Sequence, residues 1–320
     1  MKVGAEQKED RLTLSFILYI IVKMKLRHLV SITDLTKSEI LQIIKKALVL
    51  KKNKFKPLLN TKTLVMVFEK PSLRTRLSFE IGMTQLGGHA INLGPTDIGL
   101  GVRESISDVA KVTSSMTDII MARTFKHSVV QELAKYSTVP VINGLTDLEH
   151  PCQILADLLT VYESKHKFKG LKIVFVGDSE NNVTHSWALA SKILGINFYT
   201  ASPKNYRMSR NVFDRSNTVE LVNPKEAVKD ADVVITDTWV SMGVEREEKK
   251  RLKIFKSYQV DQKLMNLAKK DAIFLHCLPA HRGREVTDVV IDGSQSRVFP
   301  EAENRLHAQK ALILFLLGKI

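Results

Sequence analysis

Thr63-Leu64-Val65-Met66-Val67-Phe68-Glu69-Lys70-Pro71-Ser72-Leu73-Arg74-Thr75-Arg76 is the stretch on which the reading of this chain turns. Residues 63–68 are apolar and rich in β-branched side chains, the pattern of a buried strand. After the loop, Phe79, Met83 and Leu86 recur at helical spacing, and Gly87-Gly88 supply a stop. A strand therefore runs into a short loop and then into a helix whose first turn carries Ser72, Arg74, Thr75 and Arg76. The unbonded N–H groups and positive dipole end of a helix attract anions. Two hydroxyls and two guanidiniums add donors in the geometry that a phosphate accepts. A lone Ser-x-Arg-Thr is explained as well by a capped surface helix with solvated arginines. The Gly-x4-Gly-Lys phosphate loop is absent, which excludes a P-loop nucleotide site.

The same alternation extends in both directions. Upstream, Leu35, Ile40, Ile43, Ile44 and Leu48 line one side of an amphipathic helix over residues 31–52, with Thr36 as its cap. Downstream, strands are expected at 90–93, 118–122 and 139–143, with helices at 105–116 and 129–136 between them. A further helix starts near Pro151, where proline is tolerated in a first turn. Residues 165–170 are polar and end in glycine, and the junction between two domains is expected there. The pattern then restarts with strands at 172–176, 198–201, 219–222, 233–236 and 273–275. Helices are expected at 186–194, 225–229, 246–255 and 262–268, and a C-terminal helix carries Ala308, Leu312, Phe315 and Leu316 on its apolar face. Continuous β-α-β-α order means an α/β protein of two similar domains, each a mostly parallel sheet flanked by helices.

Ligands of open parallel sheets bind outside the carboxyl ends of the strands. Polar clusters fall at those ends repeatedly: residues 72–76, Arg123, Asn181-Asn182 after Gly177-Asp178, Asp237-Thr238-Trp239, and His276-Cys277-Leu278-Pro279. His150-Pro151-Cys152-Gln153 lies between a strand and the first domain's last helix. Taken singly, Asn182 reads as a helix cap, Asp237 as a turn residue and His276 as a core histidine. Six such clusters in two successive α/β units point instead to a site in the cleft between the domains.

Totals narrow the classes. A chain of 320 residues, 44% hydrophobic and 26% charged, is long enough for two ordinary domains with proper cores. Its 48 Lys and Arg outnumber 34 Asp and Glu, a balance of +14. No basic-aromatic block, zinc-finger, basic-zipper or RNP-like pattern supports nucleic acid as the partner. The lysines are scattered, so most of the excess reads as solvated surface. Two cysteines, Cys152 and Cys277, argue against a disulfide scaffold and for a reducing compartment. His150, Cys152, His276 and Cys277 do not match zinc-ligand spacings, and Gly177-Asp178-Ser179-Glu180-Asn181 lacks Gly-x-Gly-x-x-Gly, so neither a metal nor a dinucleotide cofactor is expected. The apolar run at 12–22 is too short to span a bilayer. Acidic Glu6, Glu9 and Asp10 precede it and no small-x-small site follows, so it is a poor signal peptide. Residues 1–23 read as an extension, either an over-extended gene start or a peripheral helix, and no membrane partner is expected.

From about residue 26 to the end, the chain resembles the aspartate/ornithine carbamoyltransferase family. Ser72-Leu73-Arg74-Thr75-Arg76 resembles its carbamoyl-phosphate loop. Arg123, His150-Pro151-Cys152-Gln153, and Arg305 in Glu301-Ala302-Glu303-Asn304-Arg305 resemble its other carbamoyl-phosphate contacts. His276-Cys277-Leu278-Pro279 resembles the cysteine loop of the ornithine branch, with Cys277 and Leu278 also beside carbamoyl phosphate. Asn182 and Asp237-Thr238-Trp239-Val240-Ser241-Met242-Gly243 resemble that branch's amino-acid elements, in which Asn182, Asp237, Ser241 and Met242 hold ornithine.

The resemblance implies carbamoyl transfer to the δ-amine of L-ornithine, with Arg74, Arg123, His150, Asp237 and Cys277 as catalytic residues and no cofactor. A homologue acting on putrescine or an N-acylornithine, or an inactive one, are the alternatives. It also implies a cytoplasmic homotrimer or multiple of trimers. It divides the chain into a carbamoyl-phosphate domain, 24–168, completed by the helix at about 304–320, and an ornithine domain, 169–303. One position departs from the pattern: many relatives carry glutamine where Gly99 stands, on a loop that the family often lends across a subunit boundary.

Overall fold

The structure, a computed structural model, describes residues 26–240 and 245–320. The extension at 1–23 and the positions Ser241 and Met242 lie outside the described residues. Helix α1 (Lys37–Lys52) opens the first unit. Thr36 caps it and Glu39 returns the bond to the cap's own N–H, a reciprocal capping box. Its buried face is Ile40, Ile43, Ile44, Ala47 and Leu50, and each isoleucine or leucine contributes about 1.5–3 kcal/mol by leaving water.

The first sheet holds β1 (Thr63–Phe68), β2 (His89–Leu93), β3 (Ile119–Arg123) and β4 (Val141–Leu145), all parallel, in the order β2-β1-β3-β4. Helices α2 (Leu73–Gln85), α3 (Ile106–Met116) and α4 (His127–Tyr136) connect the strands. Helix α5 (Pro151–Lys165) leads to the second sheet and is buried on every side from Pro151 to Val161. It ends at His166, whose left-handed φ of 56° turns the chain toward the next strand.

The second sheet has β5 (Lys172–Val176), β6 (Asn197–Ala201), β7 (Val219–Leu221), β8 (Val233–Ile235) and β9 (Ile273–Leu275), parallel, in the order β7-β6-β5-β8-β9. Helix α6 (Asn182–Leu194) follows β5 and α7 (Glu248–Phe255) follows β8. The last helix, α8 (Val298–Leu316), leaves the second unit beside β9 and packs on α5, α1 and α2 of the first. One apolar core runs through α5, α6 and α8 and touches both sheets, while two smaller cores cover the far face of each sheet.

Both sheets change direction once, and the change decides where chemistry can sit. In the first, the chain winds outward from β1 to β2 and returns on the other side with β3, leaving a crevice between the ends of β1 and β3. In the second, the reversal lies between β5 and β8. Those four strand ends lead directly to Ser72, Arg123, Asp178 and Asp237. Strand limits shift by one to two residues from the sequence-based expectation, as for β4, expected at 139–143. A register shift after Ala122 pairs Arg123 with Leu145 and leaves Gly144 as an extra residue, a device that re-aims side chains near functional sites.

Candidate active site

Ser72 caps α2 and accepts the Thr75 N–H at 3.3 Å. Helix first turns ordinarily favour acidic residues, which complement the dipole. This one has none, and carries Arg74 and Arg76 instead. Leu73 is exposed, so its contribution to a ligand is its N–H, which has no acceptor among the described residues. Arg76 differs from the expectation. It sits two residues, about 200° of helical turn, from Arg74, and pairs outward with Glu80 at 3.0 Å.

Thr75 is fully buried, and its Oγ1 gathers the cluster. Arg305 Nη2 donates to it at 2.9 Å and Arg123 Nη1 reaches it at 3.5 Å. The two guanidiniums are 3% and 6% exposed, and among the described residues neither is ion-paired with a carboxylate. Burial, then the charges of Arg305 and Arg74, push Arg123 down to about 10. Their Nε atoms are buried without partners. Lys70, a residue the sequence reading passed over, is also buried, lies 4.9 Å from the Phe125 ring centre, and is pushed down to about 8 by burial and by Arg123. Buried, mutually repelling cations are what an anion site looks like before its anion arrives.

His150 precedes α5. Its N–H donates to Ser186 Oγ on α6 at 2.8 Å, and its Nδ1 is buried without a partner. Burial and four cations (Arg305, Arg123, Lys70 and Arg74) hold the ring well below its ordinary pKa, so it is a neutral imidazole. Pro151 starts α5. The Cys152 thiol turns into the core toward Asn143 O at 3.3 Å, and burial pushes it up to about 12. Gln153 Oε1 receives Arg305 Nη1 at 2.8 Å.

The second unit faces this cluster with the ends of β8 and β9. Cys277 Sγ donates to Asp237 Oδ1 at 3.2 Å. Burial and the Asp237 charge raise the thiol well above its usual range, so the sulfur is a protonated donor and not a nucleophile. Burial also raises Asp237, opposed by His276. Asp237, His276 and Cys277 bring donor atoms within 4.8 Å of one another, but each is already engaged. His276 Nδ1 accepts the Leu278 N–H at 3.0 Å and its Nε2 meets Glu285 at 3.3 Å. Leu278 follows with φ of 58°.

Asn181, not Asn182, caps α6, accepting the Thr184 N–H at 2.8 Å. Asn182 instead donates across the cleft to Thr146 O at 2.7 Å. Arg251 on α7 pairs with buried Asp178 and donates to Trp239 O at 2.5 Å, anchoring the segment that follows Asp237. Gly99 is left-handed, φ 58°, and a Cβ there would stand 2.9 Å from the Arg103 Cβ, so a glutamine would require a different loop.

Two further carboxyls, Asp157 and Glu301, lie just behind Gln153. Gln153-x3-Asp157 and Glu301-x3-Arg305 are one-turn helical spacings, the only signal in the sequence that these side chains share a face with site residues.

Known proteins align with this arrangement over about nine-tenths of the chain. The carbamoyl-P binding domain of the aspartate/ornithine carbamoyltransferases matches residues 27–163, and the family's Asp/Orn binding domain matches residues 169–316. An ornithine carbamoyltransferase from Caldicellulosiruptor saccharolyticus is 52% identical over 309 residues, 92% of this chain and all of the relative. One from Archaeoglobus fulgidus is 48% identical over 303 residues, 92% of this chain and 98% of the other. The solved ornithine carbamoyltransferase from Pyrococcus furiosus superposes with a TM-score of 0.88 at 47% identity, covering 92% and 98% of the two chains. The chain belongs to the aspartate/ornithine carbamoyltransferase family.

Proposed function

We propose that this protein is an enzyme that transfers the carbamoyl group of carbamoyl phosphate to the δ-amine of L-ornithine, giving L-citrulline and phosphate. The observation that carries the reading is the convergence of Arg123 and Arg305 on Thr75, with the Arg74 charge acting on Arg123, opposite Asp237 and the protonated thiol of Cys277 across the cleft. Curated relatives about half identical over nearly the whole chain are named for the same transfer.

The roles follow from residue chemistry. Ser72, the Leu73 N–H, Arg74, Thr75, Arg123 and Arg305 bind the phosphate dianion and neutralise it as it becomes the leaving group. The neutral His150 ring and the Thr75 hydroxyl donate to the carbonyl oxygen as it turns tetrahedral, an oxyanion stabilisation that removing one donor weakens by about 10²–10³ in rate. Gln153 orients Arg305, while Pro151 and Cys152 fix the start of α5 beneath it. The δ-amine attacks the carbonyl carbon with its lone pair. The C–O bond to phosphate breaks, and the amine's proton leaves with the phosphate. An unperturbed amine of this kind has a pKa of about 10.4, so it reacts from the minor neutral form. Asp237 takes the α-ammonium, and Cys277 and Leu278 line the junction between the two substrates. Asn182 with Ser241 and Met242 completes the amino-acid pocket. Putrescine lacks the groups that these partners address, and leaving them unpaired rejects an analogue strongly. Alignment of the two substrates lowers the barrier by several kcal/mol.

The division of labour is 24–168 with 304–320 for carbamoyl phosphate and 169–303 for ornithine. We place the enzyme in arginine or citrulline metabolism, in the cytoplasm, where two free thiols persist, and assembled as a homotrimer or multiple of trimers. Among the described residues no helix is long and apolar enough to cross a membrane. Incubation with isotopically labelled carbamoyl phosphate and ornithine should give citrulline labelled only in its ureido carbon; no label in citrulline refutes the reading.

A further inference from the structure

Asp157 on α5 and Glu301 on α8 are each 1% exposed and in hydrogen-bonding contact with each other. The Gln153 amide nitrogen donates to both, to Asp157 Oδ1 at 2.8 Å and Glu301 Oε1 at 3.0 Å. The remaining oxygens are taken as well. Trp187 Nε1 on α6 donates to Asp157 Oδ2 at 2.9 Å, and the His276 N–H at the end of β9 donates to Glu301 Oε2 at 2.9 Å. The cluster thus joins four elements from both halves of the chain. One end is Arg305, through Gln153; the other is the residue before Cys277. The charged and titratable groups that face it are Arg305 on α8 and Cys277 after β9; α6 presents the Trp187 N–H.

Two carboxyls in contact in a dry interior do not both ionise. With one proton between them, every oxygen has a partner and the pair carries a single negative charge beside Arg305. Burial and the Asp157 charge raise Glu301 well above its ordinary value, while Asp157 rises to about 6 against the Gln153, Glu301 and Trp187 donors. The two carboxyls therefore share one proton.

We propose that Asp157 and Glu301 form a positioning pair for the transfer reaction: with one proton shared between them they fix the Gln153 amide so that its oxygen faces Arg305, and hold the His276 N–H, so that the phosphate-binding arginine and the Cys277 loop are set together. The inference rests on the proposed carbamoyl transfer for its kinetic readout only.

Kinetics and melting of Glu301→Ala, Glu301→Gln and Asp157→Asn against the unaltered enzyme test it. In Glu301→Gln the amide supplies an N–H to Asp157 and an oxygen to the His276 N–H, giving up only the bond from Gln153, which still donates to Asp157. Glu301→Gln should therefore rescue most of what Glu301→Ala loses, to within about threefold of the unaltered kcat/KM for carbamoyl phosphate. Asp157→Asn supplies the same N–H from the other side of the pair and should stay in the same range. A loss in Glu301→Gln as large as that of Glu301→Ala would overturn the shared proton.

The second readout needs no turnover. A carboxyl raised by folding stabilises less as pH climbs above its unfolded value. The Tm of Glu301→Gln should therefore gain on the unaltered protein steadily from pH 5 to 8. A pH-independent difference overturns the shared proton, whereas absence of citrulline from the unaltered protein refutes only the functional reading.

Discussion

Replacing Arg123 by methionine should make the protein more stable and inactive at once. Arg123 is 6% exposed, and burial together with Arg305 and Arg74 moves it from 12.5 to about 10. A displacement of that size corresponds to roughly 3 kcal/mol of cost in holding the guanidinium charged. The sign follows from the direction. A base whose folded pKa is depressed carries this cost wherever it is protonated, so the full cost applies at pH 7 and disappears only in strong alkali. Little opposes the gain, since the one side-chain hydrogen bond lost, to Thr75 at 3.5 Å, is at the limit of useful geometry. Methionine fills most of the volume with an unbranched chain, so cavity terms stay small. The expected result in phosphate-free buffer is about 1–3 kcal/mol of added stability, after allowance for lost packing of the arginine stem. Catalysis should fall by about 10²–10³ in rate, because a charge-assisted contact to the leaving group is gone. Calorimetry with and without inorganic phosphate completes the assay. Phosphate should raise the Tm of the unaltered protein and leave that of Arg123→Met nearly unmoved. A variant that melts lower than the unaltered protein in phosphate-free buffer, or one that turns over normally, would refute the picture of Arg123 as a strained anion ligand.

Arg74→Ala should keep its fold and lose about 10²–10³ in turnover, measured as citrulline formed; near-normal rates would sink the anion-loop assignment. Lys70, lowered to about 8, should deprotonate as pH rises through that value, so KM for carbamoyl phosphate should climb above pH 8 and lose this dependence in Lys70→Met. A KM that is flat to pH 9 removes Lys70 from the site. Light scattering at assay concentration should report a trimer or a multiple of it, and a monomer would count against the proposed assembly.

Much of this was legible in the chain because the relevant signals are local. Mostly apolar strands such as Thr63–Phe68 and Ile119–Arg123, separated by amphipathic helices, announce a parallel sheet from local pattern alone. Ser72 and Thr75 lie in one helical turn, so the cap is legible locally, whereas Thr75 becomes a hub only when Arg123 and Arg305 arrive from distant parts of the chain. Arg76 failed to follow Arg74 into the site because neighbours two apart on a helix point to opposite sides, a rotation that the word "cluster" hides. Lys70 looked like an ordinary loop lysine before a proline; only the approach of Phe125 and Arg123, brought by an adjacent strand, shows it to be buried. The Asp157–Glu301 contact was the least accessible. Each residue has a one-turn partner that hints at its helix face, but the meeting of α5 with α8 is set by tertiary packing that no local pattern encodes.

The most direct test of the central claim is the choice of acceptor: steady-state kcat/KM for L-ornithine, putrescine, N-acetyl-L-ornithine and L-aspartate, with carbamoyl phosphate saturating. Asp237 in the cleft offers a carboxylate to an α-ammonium, a partner that putrescine and N-acetylornithine lack. The account predicts that ornithine exceeds each of the others by at least about 10³, the scale on which a site built for a polar group rejects analogues without it. An equal or better rate with any of the other three would contradict it.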